Sequence, residues 1–206
     1  MLRRLTALIF PLTCPGCGRD ADPVCADCAA GLHAPPSAPA PPGLDAWAAP
    51  FAYAGVAREL VARVKYRGAH AVTAWLATEM ALVAPLPVPE IVTWAPTTAA
   101  RRRERGFDHA QLLARHVARG LARPARSLLR RGDDRPQTGL PAADRRVGPR
   151  LVARDGVPAS VLIVDDVTTT GATLAAAATA LRGVGATRVV ALTAARTPPP
   201  GWIRPR

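Results

Sequence analysis

The chain has 206 residues, 49% of them hydrophobic, which is enough for a core and too many for wholesale disorder. Basic residues number 27 against 15 acidic ones, a formal net charge of +12, and only one of the 27, Lys65, is a lysine. That charge admits a nucleic-acid partner or an arginine-rich composition without functional meaning. No stretch reaches the roughly 18 apolar residues of a membrane span.

Arg3 and Arg4 precede a short apolar run, Leu5 to Leu12. The run is too short, and its end too poor in small residues, for a secretory signal, so it reads as an amphipathic packing helix. Four cysteines follow within fifteen residues, as Cys14-x2-Cys17-x7-Cys25-x2-Cys28. Two C-x-x-C knuckles can aim four thiolates at one tetrahedral zinc ion, and four ligands leave no open position, so the zinc would be structural. Two disulfides or a redox C-x-x-C are the alternatives. Residues 1–33 form this module, and 34–43, APPSAPAPPG, form a Pro-rich linker expected to run extended.

Residues 47–55 read as one or two short strands, 56–68 as a helix and 70–84 as a second helix with Val72, Leu76, Met80 and Val83 on one face. Trp47, Phe51 and Tyr53 suit a small core joining the module to the main domain, or a base-stacking surface. Lys65-Tyr66-Arg67 reads as an exposed helix end. From 90 on, strands alternate with helices: a buried strand at 90–96, a long basic loop, a helix at 109–122, a strand at 126–130 and a loop over 131–150. A strand at 161–164, a helix at 171–185 and a strand at 188–196 close the pattern, which indicates an α/β domain with a mainly parallel sheet flanked by helices. The domain spans 44–197, with outlying elements at 44–84 and a core at 90–197; the tail 198–206 is expected to be mobile.

The sharpest motif is VLIVDDVTTTGAT, residues 161–173. A buried strand carries Asp165 and Asp166 at its carboxyl end, and a Thr/Gly turn opens a helix, the place where open α/β sheets bind ligands. Backbone N–H groups and hydroxyls of Thr168, Thr169, Thr170, Gly171, Ala172 and Thr173, at a helix N-terminus, suit a phosphate monoester. The adjacent carboxylates suit two vicinal ribose hydroxyls, or a Mg²⁺ ion through water. No Gly-Lys-Ser/Thr run supports a nucleoside-triphosphate loop.

These thirteen residues resemble the phosphoribosyl pyrophosphate motif of type I phosphoribosyltransferases. The chain also resembles one branch of them, the ComF family of competence-associated proteins, through the cysteine module, R-x-R-E-R-G-F (101–107), Gln137, Gly139-Leu140 and Arg145-Arg146. The resemblance implies a type I phosphoribosyltransferase fold, with Asp165 and Asp166 as the ribose-binding, catalytic pair and Thr168 to Thr173 as the 5′-phosphate loop. It makes Arg101, Arg103 and Arg105 candidates for pyrophosphate, and Arg145 and Arg146 candidates on a closing loop. Asp108-His109 stands where the family has Asn-Gln, Gly148 where it has Asn, and Thr168 where most enzymes have an aliphatic residue. His109 and His116, seven apart, could line the site or fill ordinary surface and core roles.

Two functions follow. In one, a cytoplasmic phosphoribosyltransferase uses phosphoribosyl pyrophosphate and Mg²⁺. In the other, the same cradle holds a nucleotide or single-stranded DNA without catalysis, with DNA-uptake proteins as partners in transformation or repair. The charge distribution fits both: residues 96–150 hold 14 basic against 5 acidic residues, around the Asp165-Asp166 motif.

Overall fold

The computed structural model describes residues 13–65, 70–132 and 148–203. Its centre is a parallel sheet. Strand β6 (Ser160–Thr168) lies between β7 (Arg188–Arg196) and β3 (Ile91–Trp94), and β1 (Ala46–Ala48) and β2 (Phe51–Ala52) both pair with the far edge of β7. Beyond β3, residues 124–126 add a short parallel bridge, with Val92 N donating to Pro124 O and Arg126 N to Val92 O. Residues 46–52 therefore edge the central sheet rather than forming an outlying element.

The period-two pattern of the strands sorts their side chains between two cores. Leu162 and Val164 of β6 and Val190 and Leu192 of β7 face one core, whereas Val161 and Ile163, with Val189 and Ala191, face the other. The short helix α1 (Ala26–Ala30) belongs to the cysteine module, and the first core is covered by α2 (Gly55–Val64), α3 (His70–Leu82) and α5 (His109–Gly120). The second is covered by α6 (Ala172–Arg182) and by a small antiparallel pair, β4 (Leu129–Arg131) with β5 (Leu151–Ala153). Strand β5 has no counterpart in the sequence reading, because three residues are too few to show a period. Val83 is 39% exposed, since α3 ends at Leu82 and its buried stripe stops at Met80.

The expected basic loop after β3 is instead a helix, α4 (Ala99–Arg105), with no buried residue. The Thr98 hydroxyl accepts from Arg101 N, and Gly106 ends the helix at φ 77°, a conformation that favours glycine. Polar helices of two turns show no apolar stripe, so capping residues were the only signal.

The Pro-rich segment 34–43 is packed on the domain rather than hanging between two bodies. Pro36 O accepts from Arg196, Ala38 O from the Trp47 indole at 3.3 Å, and Gly43 O from Arg182 at 2.8 Å. Phe51 stacks on Trp75 inside the first core, and the Arg196 guanidinium lies 5.1 Å from the centre of the Trp47 ring. These two aromatics are thus structural. Val24 and Leu32 of the cysteine module pack against the same core, and Tyr53 is half-buried there.

Candidate functional site

The site lies where the chain leaves the sheet in opposite directions. From β3 the chain runs through α4 and α5 to the 124–126 edge, and from β6 it runs through α6 to β7 on the other side. The carboxyl ends of β3 and β6 are left with a crevice between them. One cavity there, of about 270 Å³, is lined by Asp165, Asp166, Pro96 and Thr97 from the strand ends and by Lys65, Arg101, Arg105 and Arg131 as cations. A second, of about 40 Å³, is lined by Thr168 to Leu174 and shares Asp165, Val167 and Thr173 with the first.

The small cavity is a loop built for close approach. Gly171 takes φ 78°, and a methyl group on it would come within 2.7 Å of Cγ of Pro41. Thr169 and Thr170 are exposed, and the Thr170 hydroxyl accepts from Ala172 N at 3.4 Å. Gly171, the N-cap of α6, offers no side-chain cap, so beyond Ala172 the N–H groups of the first turn are free of one and suit an anion. Thr168 is turned inward: its hydroxyl is buried without a hydrogen-bond partner, and its carbonyl accepts from Thr197 N.

In the larger cavity the two aspartates occupy different electrostatic states. Asp166 Oδ2 pairs with Lys65 Nζ at 3.1 Å and with His109 Nε2 at 3.2 Å. Burial would raise the Asp166 pKa, but the His109 hydrogen bond and the Lys65 charge prevail and hold it well below the ordinary carboxylate value. Asp165 is pushed well above it, by burial first and then by the Asp166 charge. The two neighbouring carboxyls are thus driven apart in proton affinity, Asp165 upward and Asp166 downward. On its other side His109 meets Arg105 at 3.0 Å through Nδ1. Arg105 can donate only, so His109 accepts at Nδ1 and donates at Nε2 to Asp166.

Two of the three departures from the expected pattern, Asp108-His109 and Gly148, find a local reason. Asp108 caps α5, accepting from Ala110 N and Gln111 N, and its other oxygen accepts from Thr97 N at the end of the β3 turn. His109 then stands in the first turn of α5, buried and aimed at Asp166. At Gly148 a side chain would meet Ala172 O at 2.5 Å, so the chain crosses the first turn of α6 at a distance only glycine allows.

Of the candidate arginines, Arg101 and Arg105 line the cavity, one helical turn apart on α4. Arg103, two residues from each, is exposed and does not line it. Arg145 and Arg146, with Gln137, Gly139 and Leu140, lie outside the described residues. Sequence reasoning passed over Arg131 and Lys65. The Lys65 side chain is 31% exposed and reaches Asp166 from the C-cap of α2, so it is a cavity residue and not a free helix end. Being the one lysine of the chain was its only mark. His116 does not line the cavity.

Cys14, Cys17, Cys25 and Cys28 place their sulfurs within 4.8 Å of one another, and none is disulfide-bonded. Cys17 and Cys25 are 3.6 Å apart, near the roughly 3.8 Å expected between thiolates on one tetrahedral zinc. Arg19 donates to Cys17 and lowers its pKa, which favours the ligating thiolate. The module rests on α2: a methyl at Gly16 would meet Cys28 Sγ at 2.8 Å and Val56 Cγ1 at 3.0 Å. Among the described residues no helix is long and apolar enough to cross a membrane.

In comparison with known proteins, the family model for the phosphoribosyl transferase domain matches residues 108–201. With the parallel sheet and its flanking helices, the match identifies the fold as type I phosphoribosyltransferase-like. No curated protein matches the chain. Among solved structures, the chain is similar to an allosteric regulatory enzyme of purine biosynthesis, at 20% identity and a TM-score of 0.46, over 65% of this chain and 30% of that one. It is also similar to glutamine phosphoribosylpyrophosphate amidotransferase from B. subtilis, at 22% identity and a TM-score of 0.45, over 64% of this chain and 30% of that one. For orotate phosphoribosyltransferase from Aeropyrum pernix the values are 18% and 0.35, over 68% and 76%. The chain thus matches less than a third of the length of the first two.

Proposed function

We propose that the chain binds a ribose 5-phosphate substituted at C1, phosphoribosyl pyrophosphate or a nucleotide, and acts as a phosphoribosyltransferase. The observation that carries this reading is the shared wall between the two cavities. Asp165, Val167 and Thr173 line both. A ligand with its 5′-phosphate on the Thr169–Thr173 loop would set its ribose hydroxyls on the aspartates and its C1 group among Arg101, Arg105 and Arg131.

In that pose Asp166 accepts from the ribose hydroxyls, and Asp165, whose proton affinity burial raises, is the second carboxyl they meet. Transfer breaks the bond from C1 to the pyrophosphate oxygen and forms a bond from C1 to a nitrogen of the acceptor. The pyrophosphate leaves with the electron pair, and the acceptor nitrogen loses its proton. The arginines counter the charge gathering on the leaving group. Asp165 and Asp166, directly or through water, are the donors that fit Mg²⁺, which when bound would supply further charge neutralisation. Zinc in the four-cysteine cluster would be structural.

The test is binding and turnover together. Calorimetry should detect phosphoribosyl pyrophosphate in the presence of Mg²⁺, and a panel of bases should release pyrophosphate. Absence of binding at millimolar ligand would refute the reading.

A second reading, a role in DNA handling of the ComF kind, is favoured by Arg102, Arg103, Arg115 and Arg119, all exposed on α4 and α5 outside the cavity. It expects single-stranded DNA to be retained, with affinity falling steeply with salt. The free thiols suit a reducing, cytoplasmic setting.

A further inference from the structure

Among the described residues, Lys65 is the one cation of the larger cavity that comes from outside the segment matched to the phosphoribosyl transferase domain and beyond the α4 arginines. It stands at the C-cap of α2, a helix fixed by four buried residues, Ala57, Leu60, Val61 and Val64. Asp166 Oδ2 has two cationic or donor partners, and they differ in freedom. His109 is 7% exposed, sits in the first turn of α5 and is held from behind by Arg105. The Lys65 side chain is 31% exposed on a flexible four-carbon stem. Only Lys65 can leave Asp166 without disturbing the core, and when it leaves, His109 still partners the carboxylate.

The contact between Lys65 and Asp166 also competes with the reading proposed above, because Lys65 and His109 share Oδ2 while Val167 N donates to Oδ1 at 2.8 Å, which leaves little of the carboxylate for ribose hydroxyls. A ligand must displace it, and a displaced ammonium needs a new anionic partner near by. Lys65 lines the same cavity as Arg101, Arg105 and Arg131, so an anionic group carried on C1 lies within the same enclosure. We propose that Lys65 is a ligand-contacting residue that exchanges partners: it occupies Asp166 in the empty site and turns to the anionic substituent on C1 when ribose hydroxyls take its place. The inference rests on the ribose-phosphate reading of the site. Its consequence is selectivity. A ligand with both a ribose diol and an anion at C1 exchanges one ion pair for another. A ligand with the diol alone leaves the ammonium unpartnered.

The experiment measures binding of ribose 5-phosphate and of phosphoribosyl pyrophosphate to the full chain, at one fixed Mg²⁺ concentration, by calorimetry. Lys65→Met should weaken phosphoribosyl pyrophosphate by roughly tenfold or more, the size of a lost charged contact. The same variant should bind ribose 5-phosphate as well as the wild type or better, since nothing competes for Asp166. Lys65→Arg should recover most of the lost affinity. Equal losses for both ligands, or no loss for either, would overturn the exchange. Thermal midpoints recorded in parallel separate a folding defect, and Lys65→Gln carries the same comparison if Lys65→Met does not fold. Wild-type protein that binds neither ligand would instead refute the parent reading, and the exchange with it.

Discussion

The two cavities are built in opposite ways. The smaller is made by one continuous run, Thr168 to Leu174, in which a strand end, a turn and a helix start follow each other. The larger gathers Lys65, Arg101, Arg105, His109, Arg131 and the aspartates from elements scattered over a hundred residues. A continuous loop depends on backbone geometry, so glycine and turn residues carry it. An assembled wall depends on packing, so it can lose one cation and keep its shape. The same contrast predicts how each half fails.

The largest effect is expected in the continuous half. Gly171→Ala forces a Cβ to φ 78° and into the Pro41 ring. The left-handed conformation alone costs about 1 kcal/mol, and relief of the clash must move the loop or the Pro-rich segment. Affinity for every ligand bearing a 5′-phosphate should fall by about a hundredfold, with or without a C1 group, as measured by calorimetry. Retained affinity would mean that the phosphate lies elsewhere.

In the assembled half, single cations should cost less and cost selectively. Arg101→Ala and Arg105→Ala should each weaken phosphoribosyl pyrophosphate by roughly tenfold and leave ribose 5-phosphate little changed. Arg105→Ala should do slightly more, because it also removes the partner of His109 Nδ1. Arg103→Ala should leave both ligands alone, since Arg103 is exposed and does not line the cavity. An equal effect from all three would replace a cavity wall with a diffuse field.

This contrast also explains what could be read in advance. VLIVDDVTTTGAT announced the strand, the carboxylates and the loop because its chemistry and its backbone geometry share one stretch of chain. The nine-residue β7 was legible for a similar reason, as an apolar run interrupted only by Thr193 between Arg188 and Arg196. Lys65 and Arg131 were not, since nothing local to either residue says that α2 ends, or β4 ends, beside the aspartates. His109 was ambiguous, because a buried histidine at a helix start looks the same whether it fills space or grips a carboxylate. Helix α4 was hidden by its own arginines, which remove the apolar stripe by which helices are recognised.

A smaller and slower effect should follow from metal. Chelation of the four-cysteine cluster should loosen the packing of Gly16 against Cys28 and Val56, at the start of the helix whose C-cap is Lys65. If the cluster holds zinc, its removal should lower the thermal midpoint and should weaken phosphoribosyl pyrophosphate severalfold. Ribose 5-phosphate, which does not need Lys65, should be less affected. Equal weakening of both would show that the module supports the phosphate loop as well.

The smallest expected effect is the one with the sharpest sign. Asp165 and Asp166 are neighbours, yet folding moves their proton affinities in opposite directions. Asp166, with its pKa depressed by His109 and Lys65, contributes stability above the ordinary carboxylate range, and that contribution is lost as pH falls through its folded pKa. Asp165 is the reverse. Its folded pKa is raised by burial and by Asp166, so its favourable contribution exists at low pH and is lost as pH rises through the folded value. Near neutrality, then, Asp166→Asn should lower stability and Asp165→Asn should raise it, each by roughly 1 kcal/mol. Both should abolish the ribose contact. The gain from Asp165→Asn should shrink as pH is taken below 4, where the wild-type carboxyl is protonated in the folded and unfolded chains alike. Denaturant melts of the two variants at pH 4 and pH 8 measure this directly. A stabilised but non-binding Asp165→Asn protein would mean that the carboxyl is retained against the interest of the fold, as expected of a group kept for its ligand. If both variants lose stability alike at both pH values, the pair is a structural strand end and its role in binding fails.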